Sequence, residues 1–402
     1  MKILWVKTDF LHPTTRGGQI RTLEMLRQLH KRHEVHYVAF DDPHSPEGLE
    51  RSGEYSSFAY PVKHDVVSKA SPQFALQLAG GLFSKIPLAV SRYRSAAMRD
   101  TLSRLTAQHD FDAKICDFLV PSINIEDLSG WTLFQHNVET IIWERHAKSG
   151  RTPLHRAYFA RQARCMRDWE RFVCRAVSQV VAVSKIDEQI LRNQFSARST
   201  SSVETGVDLD YFESPAAPNR VYDLVFVGSM DWMPNIDGMQ WFLTEVFPLI
   251  RAQKPECKLA IVGRKPPASL IAQAKESGVT LTGTVPDVRP FFWESAVSIV
   301  PLRVGGGTRL KIFEAMAAGT PVVSTTVGAE GLPVDHGKTV SIADTAQAFA
   351  SECLTLLENS AMRREMASNA LDLIRARFSW EQVTRRFEEN LRVAHALPAQ
   401  TA

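Results

Sequence analysis

The chain has 402 residues, 44% of them hydrophobic and 23% charged, with a formal net charge of +3. This composition reads as an ordinary soluble globular protein, and the length exceeds one hydrophobic core, so two domains of similar size are expected. Membrane spanning is excluded because no apolar stretch approaches about 20 residues. The five cysteines are odd in number and scattered, which excludes a disulfide framework or a zinc spacing and fits a reducing cytoplasm.

Taken in order, Lys2 to Val6 reads as a buried strand. Thr14 to Gly18 is a loop opening an amphipathic helix with Ile20, Leu23, Leu26 and Leu29 on one face. Glu34 to Phe40 is the next strand, so a strand, a glycine loop, a helix and a strand begin a doubly wound parallel sheet. Residues 42 to 60 read as polar and irregular, and Ser71 to Leu105 as helical pieces broken at Gly80-Gly81 and Pro87. Ala113 to Cys116 and Thr132 to His136 are further strands. A long helix from Pro153 to Ala176 carries six arginines and has Tyr158, Ala163, Met166, Trp169 and Val173 for burial, and Gln179 to Val183 is a strand with a short helix after it.

Periodicity fails between Thr205 and Val221, where turn residues crowd, and the domain boundary is placed there. Beyond it, Asp223 to Gly228, Lys258 to Gly263, Val279 to Gly283, Val297 to Leu302 and Pro321 to Thr325 alternate with helical patterns, which is a second Rossmann-like domain. Ser379 to Gln382 forms a capping box for a last helix. The domains expected are 1–206, a linker 207–220, 221–378, and a helix 379–396 packing back on the first domain. Two such domains face a cleft with the carboxyl ends of their parallel sheets.

The stretch from Pro301 to Val323 organises the second domain. Three glycines, Gly305, Gly306 and Gly307, precede a helix with Arg309 and Lys311 in its first turn and Glu314 after them. A glycine loop at a helix N-terminus offers N–H groups and the positive end of a dipole to an anion. Cations at that end oppose the dipole, so a bound anion explains their placement. The plainer account is a tight turn with two solvated charges.

Charge is uneven: residues 1–206 carry 28 Lys and Arg against 22 Asp and Glu, and the rest 19 against 22. A basic first half fits an acidic acceptor or an anionic membrane face. A solvated distribution without function explains it as well. Val66 to Arg104 mixes apolar and basic residues, as an interfacial or acceptor-binding surface would, or as ordinary packed helices would.

The early Gly17-Gly18 loop, the strand-terminal His136, the linker Thr205 to Phe212, the strand Phe226 to Gly228 and the run Glu314 to Val323 occur in order across nearly the whole chain. On these residues the chain resembles glycosyltransferase family 4. The resemblance implies an α/β fold of GT-B type, two Rossmann-like domains whose parallel sheets face a central cleft, the first (1–206) binding the acceptor and the second (221–378) the nucleotide-sugar donor, and retaining, metal-independent transfer of a sugar. His136-Asn-Val-Glu139, the segment Gly228 to Asn235 and Gly307 to Lys311 make it similar to bacterial exopolysaccharide sugar transferases.

The resemblance further implies that Glu314 accepts hydrogen bonds from the donor ribose, that Gly307, Thr308 and Arg309 hold the diphosphate, and that His136 contacts the donor sugar. A helix-dipole role for Glu314 and a structural histidine are the plainer readings. Two departures stand out. The first glutamate of the family's motif falls on Gly306, and the loop Gly228 to Asn235 lacks the family's Arg and Lys, a charge that Arg309 and Lys311 are expected to supply. The catalytic candidates are therefore His136, Arg309, Lys311 and Glu314. Donor-side candidates add Gly17, Gly18, Gly228, Ser229, Gly263, Arg264, Val285, Gly306, Gly307 and Thr308, and acceptor-side candidates are Arg21, Asn137 and Glu139.

No metal and no cofactor are expected, the nucleotide-diphosphate-sugar being a substrate. Asp208-Leu-Asp210 and Asp110-Phe-Asp112 mimic a metal-binding pair but lie in a linker and a polar loop. Gly331 to Thr339 mimics a P-loop with one residue too many. The partners expected are the nucleotide-sugar, a glycan or lipid-linked oligosaccharide acceptor, and the inner membrane as a peripheral contact. Nucleic acid is not among them, and the place is the cytoplasm or the cytoplasmic face of the membrane. A nucleotide-sugar epimerase and a catalytically silent nucleotide-sugar-binding module are the alternatives.

Overall fold

A computed structural model of the chain describes residues 1–14, 17–64, 71, 78, 80–81, 84–149, 152–215, 219–304 and 310–396. They form two compact units, Met1–Glu204 with Val383–Ala402, and Thr205–Gln382.

The first unit is built on a seven-stranded sheet of β1 (Lys2–Val6), β2 (Glu34–Asp41), β3 (Phe58–Lys63), β4 (Ala113–Asp117), β5 (Trp131–Gln135), β6 (Gln179–Ala182) and β7 (Thr200–Ser202). The order is β3-β2-β1-β4-β5-β6-β7, with every pair parallel. Parallel strands joined by helices are covered on both faces, which is why β5 and β6 are buried at every position.

The polar stretch 42–60 holds a strand that its sequence conceals. Phe58–Lys63 pairs with β2 at the sheet edge, and Pro61 interrupts its pattern, an edge being where a strand tolerates proline. The helix Gly17–His30 includes both glycines. Its buried stripe centres on Thr22, Met25, Leu26 and Leu29, so Ile20 points the other way and is 43% exposed, contrary to the sequence pattern. Pro153–Ala176 forms as the sequence implies, with Thr152 accepting the N–H of His155 at 3.2 Å and proline in the first turn.

Of the Val66 to Arg104 surface, Lys69, Phe74, Leu76, Leu82 and Phe83 lie outside the described residues. Leu88, Val90, Met98 and Leu102 are buried in the first unit, so these apolar side chains pack inward, while Lys85 and Arg94 are exposed. No helix among the described residues is long and apolar enough to cross a membrane.

The second unit holds β8 (Tyr222–Val227), β9 (Leu259–Val262), β10 (Thr280–Leu281), β11 (Ser295–Val300), β12 (Val322–Ser324) and β13 (Ser341–Ile342). These are parallel in the order β10-β9-β8-β11-β12-β13. The 207–220 stretch starts inside this unit: Val207 donates to the Phe378 carbonyl at 2.8 Å, and buried Phe212 meets Phe292 edge to face. Asp208 caps the short helix Leu209–Phe212 through the Tyr211 N–H, and Asp112 accepts the Lys2 N–H at 2.7 Å, so one aspartate of each metal mimic has structural work. No group of three or more His, Cys, Asp or Glu among the described residues could hold a metal ion.

Candidate functional site

In an open parallel sheet, ligands bind beyond the carboxyl ends of the strands where the strand order reverses. In the second unit that point lies between β8 and β11. Gly228 donates to the Val262 carbonyl at 2.9 Å, and a Cβ on Gly263 would stand 1.9 Å from the Gly228 carbonyl oxygen. The ends of β8 and β9 therefore touch backbone to backbone. On the other side, a Cβ on Gly238 would stand 2.5 Å from the Pro301 carbonyl oxygen, so the helix Met233–Trp241 closes on the end of β11.

Asn235 is buried in this crevice. Its Nδ2 donates to the Ser229 carbonyl at 2.7 Å, and its Oδ1 accepts from Lys311 Nζ at 3.0 Å. Lys311 also stands over the Trp232 ring at 5.3 Å and the Phe226 ring at 5.8 Å. An ammonium is thus fixed at the switch point. Glu314, one turn later on the helix Leu310–Ala317, is half-buried, and burial pushes its carboxyl above the usual range, with Lys311 opposing.

Ser229 receives Arg264 Nε at 2.9 Å and donates to Asp231 at 2.6 Å, so the chain brings Gly228, Ser229, Gly263, Arg264 and Lys311 to one place. Val285 is half-buried against the core of the same unit. Gly306, Gly307, Thr308 and Arg309 lie outside the described residues. The Gly331 to Thr339 segment closes as a turn with a bridge between His336 and Val340.

In the first unit the strand ends gather around Asp117, which is fully buried at the end of β4. One oxygen accepts from Trp5 Nε1 at 3.1 Å, Lys7 Nζ at 2.9 Å and Thr22 Oγ1 at 2.7 Å, and the other accepts from His136 Nε2 at 2.7 Å. Although burial resists its charge, Lys7 and His136 hold its carboxyl far below the usual range. His136 is 7% exposed and pushed down to about 4, chiefly by burial. A neutral imidazole that donates from Nε2 keeps a lone pair on Nδ1.

Phe118, in the left-handed region at φ 70°, stacks on the His136 ring at 4.0 Å and under Lys7 Nζ at 4.1 Å. Gly18 fits against that ring, since a Cβ there would meet it at 2.6 Å, whereas a Cβ on Gly17 would meet nothing within 4 Å. Sequence reasoning named His136 and Gly18 as candidates and did not name Asp117, Lys7, Phe118 or Asn235. The available signal was a charged or amide residue at a strand end, where a parallel sheet places its ligands.

The acceptor-side candidates part company. Asn137 is exposed. Glu139 is half-buried at the start of the helix Glu139–Ser149, its carboxyl pushed up to about 7 by burial and by Glu170. Glu170 itself accepts the N–H groups of Glu139 and Thr140, the Thr140 hydroxyl and the Gln135 amide. Arg21 is 3% exposed and enclosed in the unit. It donates to the Val203 carbonyl at 3.3 Å, its Nε and Nη1 have no partner, and burial pushes it down to about 9.

Residues 222–359 match the family model described as glycosyl transferases group 1. The chain is 27% identical over 177 residues to an uncharacterized 44.6 kDa protein in the cps region of Klebsiella pneumoniae, covering 42% of this chain and 46% of that one. Matches to the curated relatives span about half of their length. Sucrose-phosphate synthase from Thermosynechococcus elongatus is similar in structure, with a TM-score of 0.69 at 17% identity over 98% of this chain and 99% of that one. The Anabaena protein HepE, solved with UDP and glucose, gives 0.60 at 16% identity over 98% and 100%. The chain thus has the GT-B fold of two parallel-sheet units, and residues 222–359 of its second unit are similar to group 1 glycosyl transferases.

Proposed function

We propose that the chain is a retaining glycosyltransferase moving a sugar from a nucleoside diphosphate donor to a hydroxyl of a glycan or lipid-linked acceptor, in cell-surface polysaccharide biosynthesis and without a metal. The observation that carries this reading is Lys311, fixed by Asn235 at the switch point of a unit similar to group 1 glycosyl transferases. A cation there neutralises a diphosphate, and Glu314 on the same helix accepts from ribose hydroxyls. The cps-region relative supports polysaccharide assembly, and the UDP bound to HepE makes uridine the first base to test.

In this mechanism the bond from the anomeric carbon to the diphosphate breaks, and the bond to the acceptor oxygen forms on the same face. The acceptor proton goes to the departing diphosphate oxygen. The residues act by positioning and by stabilising leaving-group charge, Lys311 and Arg309 on the diphosphate and the neutral His136 on a sugar hydroxyl through Nδ1. The work is done in the cytoplasm, with the inner membrane as a peripheral contact through the lipid of the acceptor.

Glycine at 306, where the family has a glutamate, favours a second reading as a silent nucleotide-sugar-binding module. Incubation with UDP-, GDP- and ADP-sugars plus EDTA and glycan acceptors, followed by NMR of the products, separates the readings. A product of unchanged anomeric configuration supports the proposal. An inverted product, an epimer made without acceptor, or donor binding with no reaction overturns it.

A further inference from the structure

Glu170 lies on the helix Pro153–Ala176, is fully buried, and has no part in the function proposed above. Its carboxylate serves another element. Oε1 accepts from Gln135 Nε2 at 2.7 Å and from the Glu139 N–H at 2.9 Å. Oε2 accepts from the Thr140 N–H at 3.0 Å and from the Thr140 hydroxyl at 2.6 Å. Glu139 and Thr140 open the helix Glu139–Ser149, whose first N–H groups have no partner within the helix, so Glu170 caps it from outside.

The segment held in this way is the one that carries His136. Gln135 directly precedes His136 at the end of β5 and Glu139 follows three residues later, so one carboxylate ties the chain on both sides of the imidazole. From the ring's own side, Asp117 accepts from Nε2 at 2.7 Å and Phe118 stacks at 4.0 Å. Asp117 and Phe118 therefore hold the ring, and Glu170 holds the backbone beneath it. Burial pushes the Glu170 carboxyl up, and the donors from Thr140, Glu139 and Gln135 oppose that shift. As a packing device such a carboxylate is inferior to apolar side chains of the same volume, which carry no desolvation cost. Fixing the His136 segment accounts for its presence.

We propose that Glu170 is the positioning residue of His136: by binding Gln135, Glu139 and Thr140 to one carboxylate, it sets the place from which the imidazole meets the donor sugar. The proposal rests on the transferase reading for what His136 touches, and on the hydrogen bonds alone for how His136 is held. Glu170→Gln tests it, because the amide has the shape of the carboxylate but carries donors on one arm. Gln135 could turn its own amide to meet that arm, its Oε1 being buried without a partner. The main chain cannot turn. In either orientation an N–H of Glu139 or of Thr140 faces the new NH2, and the segment is released.

With the UDP-, GDP- or ADP-sugar that the native chain turns over, Glu170→Gln should lower kcat by about tenfold to a hundredfold, the effect of a small misplacement of reacting groups. UDP affinity should stay unchanged. In a His136→Ala background the same substitution should cost less than about twofold, because Glu170 acts through the imidazole. An equal loss in both backgrounds, or an unchanged kcat in the native one, overturns the proposal. Nitrogen NMR of the imidazoles reads the same coupling without turnover. His136 should carry its proton on Nε2 in the native chain and populate both tautomers in Glu170→Gln, and a His136 signal that does not move also overturns the proposal. Asp168→Asn removes an exposed charge from the same helix and should leave kcat and the imidazole unchanged; an effect as large as that of Glu170→Gln would trace the loss to helix charge instead. If Glu170→Gln does not fold, Thr140→Val, which takes away only the hydroxyl donor, should lower kcat by about threefold and move the same imidazole signal. The two ideas fail separately: a native chain that transfers no sugar removes the transferase reading and leaves the imidazole signal to decide on Glu170, whereas transfer with an unmoved signal does the reverse.

Discussion

Asp117 takes four donors on two oxygens with no exposure, and the cost of its burial is offset only while Lys7 and His136 stay in place. His136 contributes a pH dependence of definite sign. Its pKa falls from an unfolded 6.5 to about 4, so between those values the unfolded chain binds more protons and stability rises with pH. About 3 kcal/mol of stability attributable to His136 is therefore lost as pH falls from 6.5 through 4. Urea unfolding of the native chain and of His136→Gln at pH 7 and pH 5 measures it. The native chain should lose more than the variant, and equal losses would remove His136 from this account.

Lys311→Ala should weaken UDP binding by about 1–3 kcal/mol, the loss of a charged hydrogen bond, and the sequence extends the same expectation to Arg309→Ala. Calorimetry decides, and unchanged affinity would withdraw either cation from the diphosphate. His136 and Lys311 were readable in sequence because each sits at the end of an apolar strand or beside a glycine loop. Asp117 and Lys7 were not, because their meaning lies in a pairing across 110 residues that a linear pattern does not carry.

Strand ends show what glycine does at the level of the element. Gly263→Ala puts a methyl 1.9 Å from a backbone oxygen, and backbone cannot yield as a flexible side chain does. We expect a cost of about 1–3 kcal/mol or more, with UDP affinity falling as β8 and β9 part. Gly17→Ala is the contrast. Its methyl meets nothing within 4 Å, and alanine at this first described helical position gains at most about 1 kcal/mol. A melting temperature lowered in the first variant and held or raised in the second checks both, and the reverse order would refute the packing argument. The same local view explains which elements the sequence revealed. Long periodic helices such as Pro153–Ala176 were legible, whereas β3 was hidden by Pro61, and β7 and β13, of three residues and two, are too short to show a period.

At the scale of the whole chain, the first unit is not continuous in sequence, because it is completed by residues from Val383 onward. The final helix Trp380–Ala396 contributes Val383, Phe387 and Leu391, all fully buried. Phe387 meets Trp5 at 5.8 Å and Phe134 at 5.1 Å, beside the strands that carry the Asp117 cluster. Glu388 pairs with Arg32, and Arg386 with Glu204 at 3.2 Å. Three buried apolar side chains at about 1.5–3 kcal/mol each amount to roughly 5–9 kcal/mol, a large share of the 5–15 kcal/mol that stabilises a domain. Surface pairs such as Arg386 with Glu204 add little to that. Ending the chain after Gln382 should therefore unfold the first unit and spare the second, whose residues run without interruption from Thr205 to Gln382. Hydrogen exchange read by mass spectrometry distinguishes the two: protection should vanish from β1, β4 and β5 and persist in β8, β9 and β11. Protection kept in β1 and β5 would mean that the sheet of the first unit stands without the helix that returns to it.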